Sequence, residues 1–239
     1  MPLSKQPALA EEIALRGGKD TGPVIAVDGP AASGKGTIAR ALAKHFALPF
    51  MDTGLLYRAV ALNLWRWGGD PGDEFEALRA CGELGFDLAD PELRSEPVSV
   101  IASRISAYPS VRAALLDRQQ EFARQPGGAV LDGRDIGTVI APEAEVKLFV
   151  TASPEVRAVR RLKELEQRGM HAHYDDVLAD IHARDDRDST REAAPLRPAA
   201  DAIVLDTSDL DVDAAIAEAV RLTEERLAKS WRTNRTNLG

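Results

Sequence analysis

The sequence predicts an α/β fold, a parallel sheet of about five strands packed between two layers of helices as a three-layer sandwich. Three observations carry this expectation. Short apolar runs alternate with segments of helical spacing along the chain. A glycine-containing turn joins the first apolar run to the first helix. The conspicuous polar residues follow the ends of the apolar runs, where open α/β sheets bind their ligands.

The elements follow in order. Val24-Ile25-Ala26-Val27 reads as a buried strand that stops at Asp28-Gly29-Pro30. Ile38, Leu42 and Phe46 recur at spacings of four and give the next helix one buried face. Pro49 to Asp52 is a short second strand, and Leu55 to Trp67 a helix. Gly68 to Gly72 is a loop, followed by helical spacing from Asp73 to Leu84. Asp87 to Pro97 holds two prolines and no period, so it is expected to be irregular. Val98 to Ala107 is a helix, and a further one begins near Tyr108-Pro109 with Ser110 as its expected N-cap. Ala129 to Leu131 and Val146 to Val150 are strands, with Lys147 near an end. Pro154 to about Arg168 and Asp175 to Asp188 are charged helices. Ala202 to Leu205 is the last strand, and Val212 to Leu227 the last helix.

Length and composition bound the function. The chain has 239 residues, enough for one α/β domain with insertions. The expected organisation is a leader over 1–22, one domain over 23–230 and a polar tail over 231–239. A formal net charge of −8 argues against non-specific nucleic-acid binding. No run of 18 apolar residues exists, so no membrane-spanning helix is expected. Cys81 is the only cysteine, which rules out an internal disulfide and fits a reducing, cytoplasmic setting. Nothing requires more than a monomer.

Gly29, Pro30, Ala31, Ala32, Ser33, Gly34, Lys35, Gly36 and Thr37 follow a strand and open a helix, as a P-loop must. Backbone N–H groups there can meet the oxygens of a nucleoside triphosphate such as ATP, assisted by the helix N-terminus. Lys35 is placed to reach the β- and γ-phosphates. The residue after this lysine is usually Ser or Thr, a direct Mg²⁺ ligand. Gly36 stands there instead, so no protein ligand is expected and Mg²⁺ is left to phosphates and water. Thr37 is placed nearer the α-phosphate. A P-loop alone does not separate kinases from switches or motors.

Arginines suggest a second polyanion. Arg58, Arg112 and Arg134 stand apart, and Arg157, Arg160, Arg161, Arg184, Arg187 and Arg191 cluster late in the chain. Planar guanidinium forks grip phosphate oxygens in pairs, so this supply suits a phosphorylated acceptor facing the triphosphate.

These residues bear a resemblance. Val27 to Pro30, Lys35-Gly36-Thr37, Asp52-Thr53-Gly54 with Tyr57-Arg58, Tyr108-Pro109 with Val111-Arg112, Asp132 to Val139, Arg184 to Asp188 and Ala194-Pro195-Leu196 together resemble the bacterial cytidylate kinases. The resemblance spans roughly Val24 to Leu227. It implies an ATP-dependent, Mg²⁺-assisted phosphorylation of CMP and dCMP. Lys35, Arg134, Arg161 and Arg187 are then expected in catalysis, and Arg157 and Arg160 beside ATP. Thr53, Ser103, Arg112 and Asp135 form the cytosine pocket, Arg184 and Asp188 contact the sugar, and Arg58, Arg134 and Arg191 clamp the CMP phosphate. Residues 53–108 correspond to a monophosphate-binding insertion and about 161–175 to a lid. The insertion is shorter than in relatives that carry a strand hairpin there. Competing readings are a P-loop kinase for another small acceptor and a nucleotide-binding switch without transfer activity.

Overall fold

The computed structural model describes residues 22–82 and 90–236, with side chains to Ser230. Five strands form one parallel sheet: β1 (Val24–Asp28), β2 (Phe50–Asp52), β3 (Ala129–Gly133), β4 (Val146–Thr151) and β5 (Ile203–Asp206). Their order across the sheet is β2-β3-β1-β4-β5. Central β1 pairs with β3 from Val24 against Ala129 to Asp28 against Gly133, and with β4 from Ile25 against Val146.

Side chains alternate across the sheet. Ile25 and Val27 point to one face, into a core with Val130, Leu148 and Leu205. There they meet Ile38 and Leu42 of α1 (Lys35–His45) and Ala219 and Leu227 of α8 (Val212–Thr236). Ala26, Ala129 and Leu131 point to the other face, against Ala123 of α5 (Pro109–Ala123) and Ile136 and Ile140 of a single π-turn, Ile136–Ile140. This is the expected three-layer arrangement.

A second core lies beside the sheet. It packs α2 (Thr53–Arg66), α3 (Glu74–Gly82), a 3₁₀ turn (Pro91–Arg94) and α4 (Glu96–Ile105) against α5 through Leu64, Ala77, Leu93, Val98, Ile105 and Leu115. Helices α6 (Pro154–Gln167) and α7 (Tyr174–Thr190) form a hairpin held by Ala158, Leu165 and Val177.

Several elements differ from the sequence reading. The stretch expected to be irregular contains the 3₁₀ turn and the start of α4. Pro91 and Pro97 fall in first turns, where a missing N–H costs nothing, so these prolines start helices rather than prevent them. Asp90 caps the 3₁₀ turn by accepting the Glu92 N–H at 2.9 Å. The N-cap of α5 is Tyr108, with Pro109 just inside; Ser110 instead donates its hydroxyl to Glu74 at 2.6 Å. Helix α8 runs to Thr236, past the expected end and into the expected tail. The leader, apart from Gly22, lies outside the described residues, as do 83–89.

Candidate active site

All five strands end on the same side, and the turns after β1, β2, β3 and β5, with helix α6 beyond β4, line one cleft of about 740 Å³. The P-loop forms its floor. Gly29, at φ 154°, lies so close to β4 that a Cβ would sit 2.0 Å from the Val150 carbonyl oxygen. Gly34, at φ 88°, takes the left-handed conformation from which α1 starts. Ala32 to Thr37 face the cleft, whereas Gly29, Pro30 and Ala31 lie beneath it.

Lys35 donates to the Pro30 carbonyl at 3.3 Å and stands 4.0 Å from Asp132 Oδ1. Burial, reinforced by the nearby Arg134 charge, pulls its ammonium down to about 8. Asp132 is itself buried, and burial lifts its carboxyl above the usual range. Its Oδ1 has no hydrogen-bond partner. Its Oδ2 occupies the space above Gly36: a Cβ there would lie 2.9 Å away.

The far wall carries the residues expected to read an acceptor. Arg112, on α5, is ion-paired with Asp135 and donates to the Ser106 carbonyl at 3.2 Å. Its guanidinium carbon lies 5.7 Å from the Tyr57 ring centre. Arg191 approaches Asp135 Oδ1 at 3.8 Å, with Nη2 buried and lacking a hydrogen-bond partner. Thr53 donates to the Asp132 carbonyl at 2.8 Å, and Ser103 receives a bond from Arg187 at 3.3 Å. Arg134 donates to Asp188 at 2.9 Å. Burial works upward on the Asp188 carboxyl, but Arg134 and Arg184 together hold it below its ordinary value. Arg184 is pulled down to about 10 by burial, with Arg134 adding to the effect. Arg58 bonds Ser99 Oγ at 2.5 Å and the Leu93 carbonyl at 3.1 Å, tying α2 to the 3₁₀ turn and α4.

The hairpin closes the third side. Arg160 donates to the Thr207 hydroxyl and carbonyl at 2.9 and 2.6 Å, and Thr207 donates to the P-loop Ser33 carbonyl at 3.1 Å. Arg161 bonds Glu164 at 2.8 Å and is ion-paired with Glu96 on α4. Besides Gly29, Pro30 and Ala31, two expected residues do not line the cleft. Arg157 is buried behind it, held by Asp185 at 2.5 Å, the Ala152 carbonyl at 2.9 Å and the Ala31 carbonyl at 3.3 Å. Arg187 sits behind the wall that its bond to Ser103 supports. The remaining expected residues of the far wall, Thr53, Arg58, Ser103, Arg112, Arg134, Asp135, Arg184, Asp188 and Arg191, converge on it.

Sequence reasoning missed Asp52, Asp132, Arg40, Arg94 and Thr207, all of which line the cleft. Asp52 ends β2 and Asp132 stands one residue before the end of β3. The strand-end rule that located the site could have found both. Among the described residues, no group of three or more His, Cys, Asp or Glu side chains forms a metal cage, and no helix is long and apolar enough to cross a membrane.

The cleft joins a phosphate cradle to a ring of arginines and a base-sized polar pocket. The sequence profile of the cytidylate kinase family matches residues 25–225. The chain belongs to the cytidylate kinase family. Its family relatives include a cytidylate kinase of Paramagnetospirillum magneticum, 57% identical over 201 residues that cover 82% of this chain and 95% of that protein. One from Methylocella silvestris is 56% identical, covering 84% and 94%. One from Xanthobacter autotrophicus is 57% identical, covering 86% and 99%.

Proposed function

We infer that the protein transfers the γ-phosphoryl group of ATP to CMP and dCMP, giving CDP and dCDP. The observation that carries this reading is the Arg112–Asp135 pair facing the P-loop across one cleft. Cytosine presents an amino donor beside ring acceptors, which a carboxylate and a guanidinium match in turn. Uracil puts an oxygen where that amine was, so Asp135 would face an acceptor with an acceptor. An unpaired buried group of that kind gives strong discrimination.

The backbone of Ala32 to Thr37 and the Lys35 ammonium hold the donor phosphates. Arg160, fixed by Thr207 and next to Leu210 and Val212 in the cleft lining, borders the donor nucleoside. Arg184 and Asp188 receive the sugar, and Arg58, Arg134 and Arg191 the acceptor phosphate. The attacking phosphate oxygen is already ionised, so no general base is needed. The residues contribute by alignment and by neutralising charge as the phosphoryl group moves, with Lys35, Arg134 and Arg161 nearest its path. Arg187 acts through Ser103, and Arg157 through the P-loop carbonyl it holds. Residues 53–108 serve as the acceptor-binding insertion, and the turn of the α6–α7 hairpin as the lid.

Mg²⁺ fits this site. Asp132, whose Oδ1 lacks a hydrogen-bond partner, and Asp52 in the same wall are the hard oxygen donors that would hold the ion through its water shell. When bound, Mg²⁺ offsets charge on the donor phosphates. An acceptor panel with purified protein, ATP and Mg²⁺ tests the reading: CMP and dCMP react, UMP and AMP react poorly. Activity on UMP or a sugar but not on CMP would overturn it. So would a Lys35→Ala protein with normal turnover.

A further inference from the structure

We propose that Asp28 is a positioning residue for base recognition: it caps, from a neighbouring strand, the turn that begins at Asp135, and thereby leaves the Asp135 carboxylate free to face the acceptor. The inference rests on the reading of Asp135 as the cytosine reader.

Asp135 occupies the N-cap position of the π-turn, and its carbonyl accepts the Val139 and Ile140 N–H groups at 2.9 and 3.2 Å. The first N–H groups of any helical turn have no partner within it. An aspartate at the N-cap ordinarily satisfies them with its own side chain. Asp135 makes no such bond; its carboxylate is turned to Arg112. The two N–H groups go instead to Asp28. Oδ1 accepts from Ile136 at 2.7 Å and Oδ2 from Gly137 at 2.8 Å, across 108 and 109 residues of sequence.

The surroundings leave no substitute. Asp28 is buried at 5% exposure, so water is not at hand to replace it. Gly137 is packed between Asp28 and Lys147: a Cβ there would meet Lys147 Cδ at 3.1 Å and Asp28 Oδ2 at 3.3 Å. Burial with unpaired N–H groups is costly. Without the Asp28 carboxylate, the acceptor that an N-cap aspartate ordinarily offers them is its own side chain, here that of Asp135. Drawn back to its own backbone, that carboxylate is lost to Arg112 and to the base.

Asp28 also immediately precedes Gly29, so the same side chain links the start of the donor cradle to the residue that reads the acceptor. Its role is indirect, because it lines no part of the cleft.

The test compares kcat/KM for CMP and for UMP in the wild type, Asp28→Asn and Gly137→Ala, with thermal unfolding recorded for each. Asn retains one acceptor and turns an N–H₂ donor toward the other N–H. The expected result for Asp28→Asn is a fall of about tenfold in the CMP-to-UMP ratio, carried by KM for CMP, with KM for ATP little changed. Gly137→Ala, whose Cβ crowds the accepting Asp28 Oδ2 and the flexible Lys147 stem, moves the ratio in the same direction and decides the matter if Asp28→Asn does not fold. A merely structural Asp28 would lower the unfolding temperature and leave the ratio unchanged, and that result in both variants overturns the inference alone. A wild type with no preference for CMP overturns the acceptor reading and this inference with it.

Discussion

Restoring the usual P-loop hydroxyl should harm this protein. Gly36 stands where Ser or Thr would ligate Mg²⁺, so Gly36→Ser looks like a repair. The geometry opposes it. A Cβ at residue 36 would lie 2.9 Å from Asp132 Oδ2 and 3.4 Å from an Arg40 guanidinium nitrogen. The first contact is closer than real Cβ atoms tolerate, and Asp132 is buried with little room to retreat. Overpacking of this kind costs about 1–3 kcal/mol. Here the displaced group is the carboxylate beside Lys35, one oxygen of which is buried without a hydrogen-bond partner. If that cost falls on the transition state, kcat/KM drops about 5- to 150-fold, at about 1.4 kcal/mol per factor of ten. Coupled-assay kinetics on Gly36→Ala and Gly36→Ser read it directly. The two variants should lose activity about equally, because the methylene does the damage and the hydroxyl cannot repair it. Either change should cost much less in an Asp132→Ala background, since the clash is then gone. A Gly36→Ser protein as active as the wild type, or clearly more active than Gly36→Ala, would refute the reasoning.

Three further outcomes are expected. Asp135→Asn should lower kcat/KM for CMP about 10- to 100-fold while sparing that for UMP, because the broken partner is a charged hydrogen bond; the acceptor panel reads the two rates. Asp185→Asn should weaken the hold on buried Arg157, and because Asp185 is 28% exposed the cost is at the low end for such pairs, about 3 kcal/mol, or about 6–12 °C in calorimetric Tm. Burial pushes the Cys81 thiol up to about 11, so in the native protein near pH 8 it should react with a disulfide reagent about 100-fold more slowly than an unperturbed thiol, and promptly after denaturation.

The sheet was legible because its signals are local. Each strand is a short apolar run with a turn behind it, and the P-loop announces itself within nine residues. The strand-end rule then places the cleft from the sequence alone. What the pattern could not carry was pairing. Arg161 reads as a cation for the transferring phosphoryl group, and its pairing with Glu96, 65 residues away in sequence, carries no local signal. Arg157 reads as a phosphate ligand beside Arg160 and Arg161, but its position on α6 turns it inward to Asp185. Pro91 and Pro97 read as breakers because a proline's effect depends on which turn of a helix it occupies. Asp28 carries no signal beyond marking a strand end, since its partners lie on a turn that only folding brings near it.

On the proposed reading, helix α7 gauges the acceptor. Arg184 and Asp188 lie on it, and Arg191 is its C-cap. Asp185, on the same helix, reaches through Arg157 to the carbonyl of Ala31 under the donor cradle. From Arg184 to Arg191 the helix rises about 10 Å, a spacing comparable to the span of a mononucleotide from phosphate to base. Because the spacing is set by a rigid rod rather than by loops, the length of the acceptor is gauged at both ends at once. On the proposed reading, a nucleoside without its phosphate would leave Arg134 and Arg191 unfilled, and a free base would leave Arg184 and Asp188 unfilled as well. On that reading the helix acts as a ruler, because one rigid element carries the contacts to two parts of the acceptor.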